Sequence, residues 1–186
     1  MQLRYPKELV LKDGTDAILK PLEAGDGDAL LRFYSQIPLE DRWFMKEDGA
    51  DPVVIRKWVM DLDIERVFSI LAWVNSRVVA HATLVRHVFG GLKHVGHLRI
   101  MVAPEVRRKR LGTWMLLDLI RRAMDAGIER LRSDFVVGLE DSAIDAAYKL
   151  DFTKECVLRN FVQDQDGRYH DYQIMVKHLH TEWSDF

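Results

Sequence analysis

A strand-like segment that leads through a short basic turn into a helix-like segment constrains the fold of this chain more than any other feature. Residues 94–102 have the composition of a strand, which Pro104 ends. From Leu111 to Ala126 apolar side chains recur at the period of an α-helix, and Gly127 follows just past its end. A strand and a helix joined this closely predict a domain in which helices interleave with strands.

The rest of the sequence continues this pattern. Apolar residues at helical spacing predict a helix that Pro38 stops, a second helix from Asp51-Pro52 to Leu62, and a third over residues 141–150. Strands are predicted over residues 15–21, 67–74, 78–88, 130–137, 152–162 and 169–178. Tight turns join several of them, as at Asp166-Gly167. We therefore predict an α/β fold (α+β, three layers) whose mixed central sheet has about six to seven strands flanked by about four helices.

The composition fits one domain over residues 1–186. The chain has a mass of 21.7 kDa, enough for a sizeable core. Its 27 Lys and Arg nearly balance 29 Asp and Glu, and a net charge of −2 gives no chain-wide attraction to nucleic acid or to an anionic membrane. Uncharged apolar runs stay well short of the roughly 20 residues that span a bilayer, and the first residues lack the apolar stretch of a signal peptide. We expect a cytoplasmic protein.

Cysteine and histidine usage argues against a metal centre. The single cysteine, Cys156, excludes an internal disulfide framework and a Cys-rich zinc site. His81, His87, His94 and His97 fit no recognised zinc spacing, and strand alternation would place His94 and His97 on opposite faces. We expect no metal.

The basic turn is the clearest candidate for chemistry. Four successive cations, Arg107 to Arg110, lie where the helix is predicted to begin. A helix start exposes unpaired N–H groups and the positive end of the helix dipole, so it favours an anion. Gly112 lets a ligand approach the backbone closely. The turn is therefore a candidate phosphate site, although a solvated basic turn explains the same residues.

The same segment resembles a known family signature. The pattern Val102-x-Pro104-x-x-Arg107-x-x-Arg110-x-Gly112 is similar to the acetyl-CoA signature of the GNAT superfamily of N-acetyltransferases, roughly V-x-P-x-x-(Q/R)-x-x-G-x-(G/A). The likeness continues through Ala143-x-x-x-x-Tyr148-Lys149-Leu150-Asp151-Phe152 and Gly167-x-x-x-Asp171-x-x-x-Met175-x-Lys177-x-Leu179, and covers about residues 13–180.

This resemblance implies a site for acetyl-CoA. Amides of the loop and first helical turn would hold the pyrophosphate, and the backbone of the preceding strand would pair with the pantetheine arm as an added strand would. The residues implied are Ile100, Met101, Val102, Arg107, Arg108, Lys109, Arg110, Leu111, Gly112 and Thr113. Two positions depart from the pattern, because Arg110 and Asp151 replace glycines. Arg110 either crowds the cofactor or reinforces phosphate binding by its charge.

The resemblance also directs attention to two catalytic candidates. Many relatives have a glutamate base on the strand before the signature, where this chain has His97 and no carboxylate. Imidazole has a suitable pKa for accepting a proton; a strand histidine without a catalytic role, or a water chain acting as base, remains open. The family's tyrosine acid falls at Ala147, one residue before Tyr148, and one helical step rotates a side chain by roughly 100°.

The acceptor is the least defined part of the prediction. Eleven acids and five bases lie between Pro21 and Glu65, a region that overhangs the acceptor site in GNAT-like folds. A negative field there would attract a cationic amine, although a solvated acidic face explains it equally well. Residues 37–44 faintly resemble bacterial protein-lysine acetyltransferases, so a protein lysine and a small-molecule amine both remain open as acceptors.

The sequence thus predicts an N-acetyltransferase that moves an acetyl group from acetyl-CoA to a primary amine by direct attack in a ternary complex. The alternative is a non-catalytic acyl-CoA-binding or regulatory module on the same fold. Nucleic-acid binding through Arg107–Arg110 is weaker, because no aromatic stacking platform accompanies the charges. A homodimer is left open.

Overall fold

The computed structural model describes residues 5–60, 63 and 65–179 as one eight-stranded sheet with helices on both faces. The strands are β1 (Lys7–Val10), β2 (Asp16–Pro21), β3 (Val67–Val74), β4 (Arg77–Arg86), β5 (Val95–Val102), β6 (Arg130–Val136), β7 (Thr153–Gln163) and β8 (Tyr169–His178). The helices are α1 (Gly27–Gln36), α2 (Leu39–Arg42), α3 (Pro52–Met60), α4 (Leu111–Asp125) and α5 (Asp141–Tyr148).

The sheet is mixed, as the sequence predicts. Its strand order is β1-β2-β3-β4-β5-β6-β8-β7, and β5 with β6 is the parallel pair among otherwise antiparallel neighbours. The predicted sheet had one strand fewer, because β1 is too short to give a periodic signal, and the single turn of α2 was not predicted either. Leu62, the predicted end of α3, lies outside the described residues.

Alternation along the central strands sorts their side chains between two layers. On one face His81 of β4 contacts Tyr34 of α1 and Trp58 of α3. On the other face Val102 of β5 packs against Gly112 of α4, where a Cβ would lie 3.7 Å from Val102 Cγ2. The apolar side of α4 is fully buried there, through Leu111, Met115, Leu119 and Ala123. Even-numbered residues of β5 therefore face α4, and odd-numbered residues face α1 and α3.

The parallel pair β5–β6 opens along its length. Val95, Gly96 and His97 pair with Arg130, Leu131 and Arg132, and the pairing stops there although both strands continue. Gly96 is needed in this paired stretch, because a Cβ at that position would lie 2.6 Å from Leu84 Cδ1 and 3.0 Å from Leu131 Cδ2. Beyond His97 the central sheet thus has a gap between β5 and β6. None of the helices in the described residues is long and apolar enough to cross a membrane.

Candidate active site at the gap between the central strands

A cavity of about 450 Å³ lies on the α1 and α3 face of the sheet, where β5 and β6 separate. This volume is within the range of small-molecule sites. Its apolar walls come from the helical layer and from the strands beneath it: Phe44, Met45, Trp58, Val67, Val85 and Phe135. Its polar groups include Tyr34, Ser69, His81, His97, Arg99, Asp134, Glu140 and Tyr172.

The edge of β5 that faces the gap offers backbone groups for pairing. Ala103 N–H donates to Val79 C=O, so the odd-numbered residues of β5 direct their backbone groups toward β4. The even-numbered residues direct theirs into the gap: the carbonyl of Leu98 accepts from Ser133 Oγ at 3.2 Å, and that of Val102 from Arg107 Nε at 3.0 Å. Ile100 lies between them with the same orientation. An extended ligand can therefore pair with β5 here.

The predicted phosphate loop lies at the end of this edge. Residues 107–110 lead into the first turn of α4, a helix of 15 residues whose buried face fixes its N-terminus beside Val102. Arg110 has φ 68° and Arg108 has φ 60°, both left-handed. The ten residues of the predicted cofactor site thus extend from the end of β5 through this loop into the first turn of α4, where the side chain of Leu111 is buried in the core.

Two of the four loop cations are held by other parts of the chain. Arg107 Nη2 donates to Asp41 Oδ2 of α2 at 2.7 Å, and Lys109 Nζ lies 2.8 Å from Asp13 Oδ2. Arg108 and Arg110 are exposed and form no ion pair with the described residues. These two side chains are therefore available to an anion at the start of α4.

His97 lines the cavity and is held by a carboxylate across the gap. Its Nε2 atom lies 3.4 Å from Asp134 Oδ2 of β6, and Arg132 binds the same carboxylate through Nε at 2.7 Å and Nη2 at 3.0 Å. Burial of Asp134 acts to raise its pKa, but the hydrogen bonds from His97 and Arg132 outweigh it and set the pKa at about 2. Asp134 is thus ionised at neutral pH and fixes the orientation of the His97 ring.

His81 forms a second buried polar group at the floor of the cavity. Its Nδ1 atom lies 2.8 Å from Tyr34 Oη and its Nε2 atom 3.1 Å from Ser69 Oγ. Burial lowers the pKa of His81 to about 4. The ring is therefore neutral at pH 7, with one nitrogen as donor and the other as acceptor.

Glu140 is a carboxyl group that the sequence analysis did not select. It precedes α5, lines the cavity, and its Oε2 atom accepts the Val136 N–H at 2.7 Å. Burial raises the pKa of Glu140, although the Val136 N–H and the charge of Arg99 act against it. A half-buried carboxyl with a raised pKa in a cleft is suited to accept a proton. Its place just before a predicted helix was the available sequence signal.

Tyr148 lies apart from this arrangement. Its side chain is 46% exposed near the end of α5 and is not part of the cavity wall, whereas the neighbouring Ala147 is buried. Cys156 is likewise exposed, on β7. Over the described ranges, no group of three or more His, Cys, Asp or Glu side chains is arranged to hold a metal ion.

The acidic segment between Pro21 and Glu65, which precedes β3, is partly neutralised by neighbouring cations. Asp26 pairs with Lys20 at 2.9 Å and Glu47 with Lys57 at 2.9 Å, and Asp48 is bound by Arg42. Of these acids, Glu47 lines the cavity, and Asp41, which Arg107 binds, does so too. The net charge of the segment therefore overstates the negative field at the cavity.

Known structures share this architecture. An acetyltransferase of the GNAT family from Streptococcus pneumoniae superposes with a TM-score of 0.76 at 18% identity, covering 88% of this chain and 99% of that one. A ribosomal-protein-alanine N-acetyltransferase from Brucella melitensis gives 0.74 at 21% identity, over 87% and 99%. The Salmonella typhimurium protein yncA, solved with its cofactor acetyl-CoA, gives 0.75 at 17%, over 90% and 96%. The fold is that of the GNAT acetyltransferases.

Sequence comparison identifies the family. The model of the acetyltransferase (GNAT) family matches residues 31–152, well over half of the chain. The protein therefore belongs to the GNAT acetyltransferase family, and the predicted resemblance is confirmed. A search of curated protein sequences finds no match.

Proposed function

We propose that this protein is an N-acetyltransferase that transfers an acetyl group from acetyl-CoA to a primary amine held in the same complex. The observation that carries the proposal is the continuity of three features: the cavity, the open edge of β5, and the basic start of α4. A thioester bound along β5 with its phosphates at α4 would have its acyl end at the cavity. Family membership supports the same assignment.

The residues of the gap fit acetyl-CoA, which supplies an activated acetyl thioester when bound. The backbone of Ile100 and the N–H of Val102 are directed into the gap and would pair with an extended amide-containing arm, whereas the Val102 carbonyl already accepts from Arg107 Nε. The N–H groups at the start of α4, with the side chains of Arg108 and Arg110, bind phosphate oxygens. A backbone N–H near Val102 would stabilise the negative charge that develops on the thioester oxygen.

Either His97 or Glu140 accepts the proton that the amine loses. His97 has its ring orientation fixed by Asp134, which leaves the other ring nitrogen to face a ligand. Glu140 lies in the same cavity with a raised pKa. Because an ammonium group is not nucleophilic, removal of its proton at neutral pH is a required contribution of the chain.

Direct transfer is favoured over an acyl-enzyme, because the cavity lacks an activated nucleophile among the described residues. Ser69 is bonded to His81, whose lowered pKa of about 4 makes it a weak base. Ser133 donates its hydroxyl to Leu98 C=O. The exposed thiol of Cys156 lies outside the cavity wall.

The test is acetyl transfer to a panel of amines, followed by mass spectrometry of the products. If His97 is the base, His97→Ala lowers kcat/KM at pH 7 by about a hundredfold or more. That deficit shrinks toward pH 10, where the acceptor amine loses its proton to solvent. An identical pH–rate profile for both proteins assigns the base elsewhere, and Glu140→Gln is then the variant that shows the deficit.

The alternative, a non-catalytic acyl-CoA-binding module, makes a different prediction in the same assay. It binds acetyl-CoA but yields no acetylated product with any amine at any pH. Product formation above the non-enzymatic rate, lost in the double variant of His97 and Glu140, excludes it.

A further inference from the structure

Arg99 is a cation in the middle of the cavity that the functions above do not use. It lies on β5 between His97 and Met101, opposite Thr83 of β4, and its side chain is directed to the cavity face of the sheet. Within residues 5–60, 63 and 65–179 its guanidinium forms neither a hydrogen bond nor an ion pair. A half-buried arginine usually has a carboxylate or phosphate partner, since it presents five N–H donors.

The anions around Arg99 are committed to other partners. Asp134 is bound by Arg132 and His97, and Asp41 by Arg107. Glu47 is bound by Lys57 and by Trp58 Nε1 at 2.8 Å. Those carboxylates are therefore unable to neutralise Arg99 without breaking existing contacts.

Glu140 and Tyr172 are near enough for the charge of Arg99 to act on them, but within the described residues neither forms a hydrogen bond or an ion pair with its guanidinium. Glu140 Oε2 accepts the Val136 N–H at 2.7 Å, and burial raises the pKa of Glu140 although the charge of Arg99 acts against it. Burial also raises the pKa of Tyr172, so its hydroxyl stays neutral at pH 7. Among the described residues the guanidinium of Arg99 thus has no ion-pair partner, and it lies in a cavity that also contains the carboxyl of Glu140 and the phenols of Tyr172 and Tyr34.

A positive charge at this point opposes a purely cationic acceptor and favours one that also carries an anion. The walls that surround the charge are apolar, among them Phe44, Trp58 and Phe135. An amine that carries both a carboxylate and an apolar side chain matches these features.

We propose that the acceptor is a free amino acid, or a closely similar amino carboxylate, and that Arg99 binds its carboxylate while the apolar side chain occupies the cavity. This inference rests on the acetyltransferase function proposed above. Arg99 is then a specificity-determining residue, and polypeptide lysines are poor acceptors because they lack a carboxylate at that distance.

The experiment compares L-phenylalanine, L-leucine and L-tryptophan with their primary amides as acceptors, in the wild type, Arg99→Gln and Arg99→Lys. Since an amide also changes the basicity of the amine, the informative quantity is the acid-to-amide ratio of kcat/KM across variants. Arg99→Gln is expected to lower kcat/KM for the acids about ten- to hundredfold and for the amides less than about twofold. Arg99→Lys retains part of the preference, because it keeps the charge but not the fork of donors. Arg159→Gln, an exposed arginine on β7, is the matched control.

Three outcomes overturn the proposal: an equal loss of kcat/KM for acids and amides in Arg99→Gln, a wild-type preference for a lysine-containing peptide, or a wild-type preference for a peptide with a free N-terminus.

A binding measurement distinguishes failure of this proposal from failure of the proposed acetyltransferase function. Calorimetry with L-phenylalanine added to protein saturated with CoA is expected to show binding that Arg99→Gln removes. Heat from acetyl-CoA but none from any amino acid rejects the amino-acid site alone, whereas no heat from acetyl-CoA rejects both proposals.

Discussion

Arg110 and Asp151 stand where the GNAT pattern has glycine, and each keeps a backbone conformation that glycine adopts easily. Their φ angles are 68° and 60°. A side chain in the left-handed region costs about 1–2 kcal/mol, which other contacts of the fold must offset. The residue before α4 therefore has a backbone conformation that glycine would also adopt, and its guanidinium is exposed. Both expectations for Arg110, crowding of the cofactor and reinforced phosphate binding, stay predictions.

The strain at Asp151 is measurable by substitution. Asp151→Gly is expected to have a free energy of unfolding about 1 kcal/mol higher than that of Asp151→Ala, since alanine retains the strain and glycine does not. Lys149, two residues earlier with φ −66°, is the matched control. There the alanine variant is the more stable by about 0.5–1 kcal/mol. Urea unfolding of the four variants checks both signs, and a higher stability of Asp151→Ala over Asp151→Gly contradicts the account.

The sequence analysis selected the residues of the loop before α4 more completely than the residues that line the cavity. The loop residues are contiguous, so a motif describes them, and His97 was reached by its position before that motif. Arg99 and Glu140 were not selected, because one looks like an ordinary strand residue and the other like a helix-start residue. What marks them is the absence of an ion-pair partner for Arg99 among the described residues and the partial burial of Glu140 in the cavity wall, and only the fold reveals either feature.

At the scale of elements, the separation of β5 from β6 creates the site. Gly96 closes the paired end of the two strands, because its missing side chain lets Leu84, Leu131 and Ile128 meet beneath it. Past His97 the pairing ends and the β5 edge becomes available. A substitution that pushes β5 and β6 apart where they pair is therefore expected to lower the stability of the fold and also to alter the gap beyond His97.

Gly96→Ala tests this packing. The added methyl would lie within 3.1 Å of three side chains, so we expect a loss of about 1–3 kcal/mol in the free energy of unfolding. Gly112→Ala in the first turn of α4 is the control, because its Cβ would meet Val102 at 3.7 Å, an ordinary contact. That variant is expected to be neutral or more stable. Chemical unfolding measures both, and a neutral Gly96→Ala would show that the paired end is loosely packed.

Most strands and helices were predicted from local sequence patterns. The elements that the prediction lacked have no such pattern. Strands β3 and β8 have the predicted bounds, and the other predicted strands and helices differ by a few residues at their ends. β1 has only four residues and forms by pairing with β2, which no local signal encodes. The gap between β5 and β6 is likewise a property of two strands distant in sequence, so the sequence analysis did not predict it; the family resemblance implied only that the backbone of residues 100–102 would pair with the pantetheine arm.

For the whole molecule, burial of a neutral histidine couples stability to pH. The pKa of His81 is lowered by burial to about 4 in the folded state, from an ordinary value of 6.5. Between these values the unfolded chain binds more protons, so stability falls as pH falls from about 6.5 to about 4. The contribution is fully present above pH 6.5 and amounts to about 3 kcal/mol. Asp134, with a pKa of about 2, lowers the stability of the fold only at still lower pH. Glu140 has a raised pKa, so its protonation favours the folded state as the pH falls.

The free energy of unfolding of the wild type and His81→Gln, measured between pH 4 and pH 7.5, isolates this contribution. The wild type should lose about 3 kcal/mol more than the variant across that interval, because glutamine has no proton to gain. Parallel curves for the two proteins would mean that His81 is not held in its neutral form by the fold.

The central claim is that the gap beside α4 binds acetyl-CoA, and calorimetric titration with acetyl-CoA and with free CoA tests it most directly. The account predicts micromolar binding of both, since both share the phosphates and the pantetheine arm. It also predicts that Gly112→Trp, which places a large side chain at the phosphate turn, abolishes the heat while circular dichroism shows a folded protein. No detectable binding to the wild type, or unchanged affinity in Gly112→Trp, would contradict it.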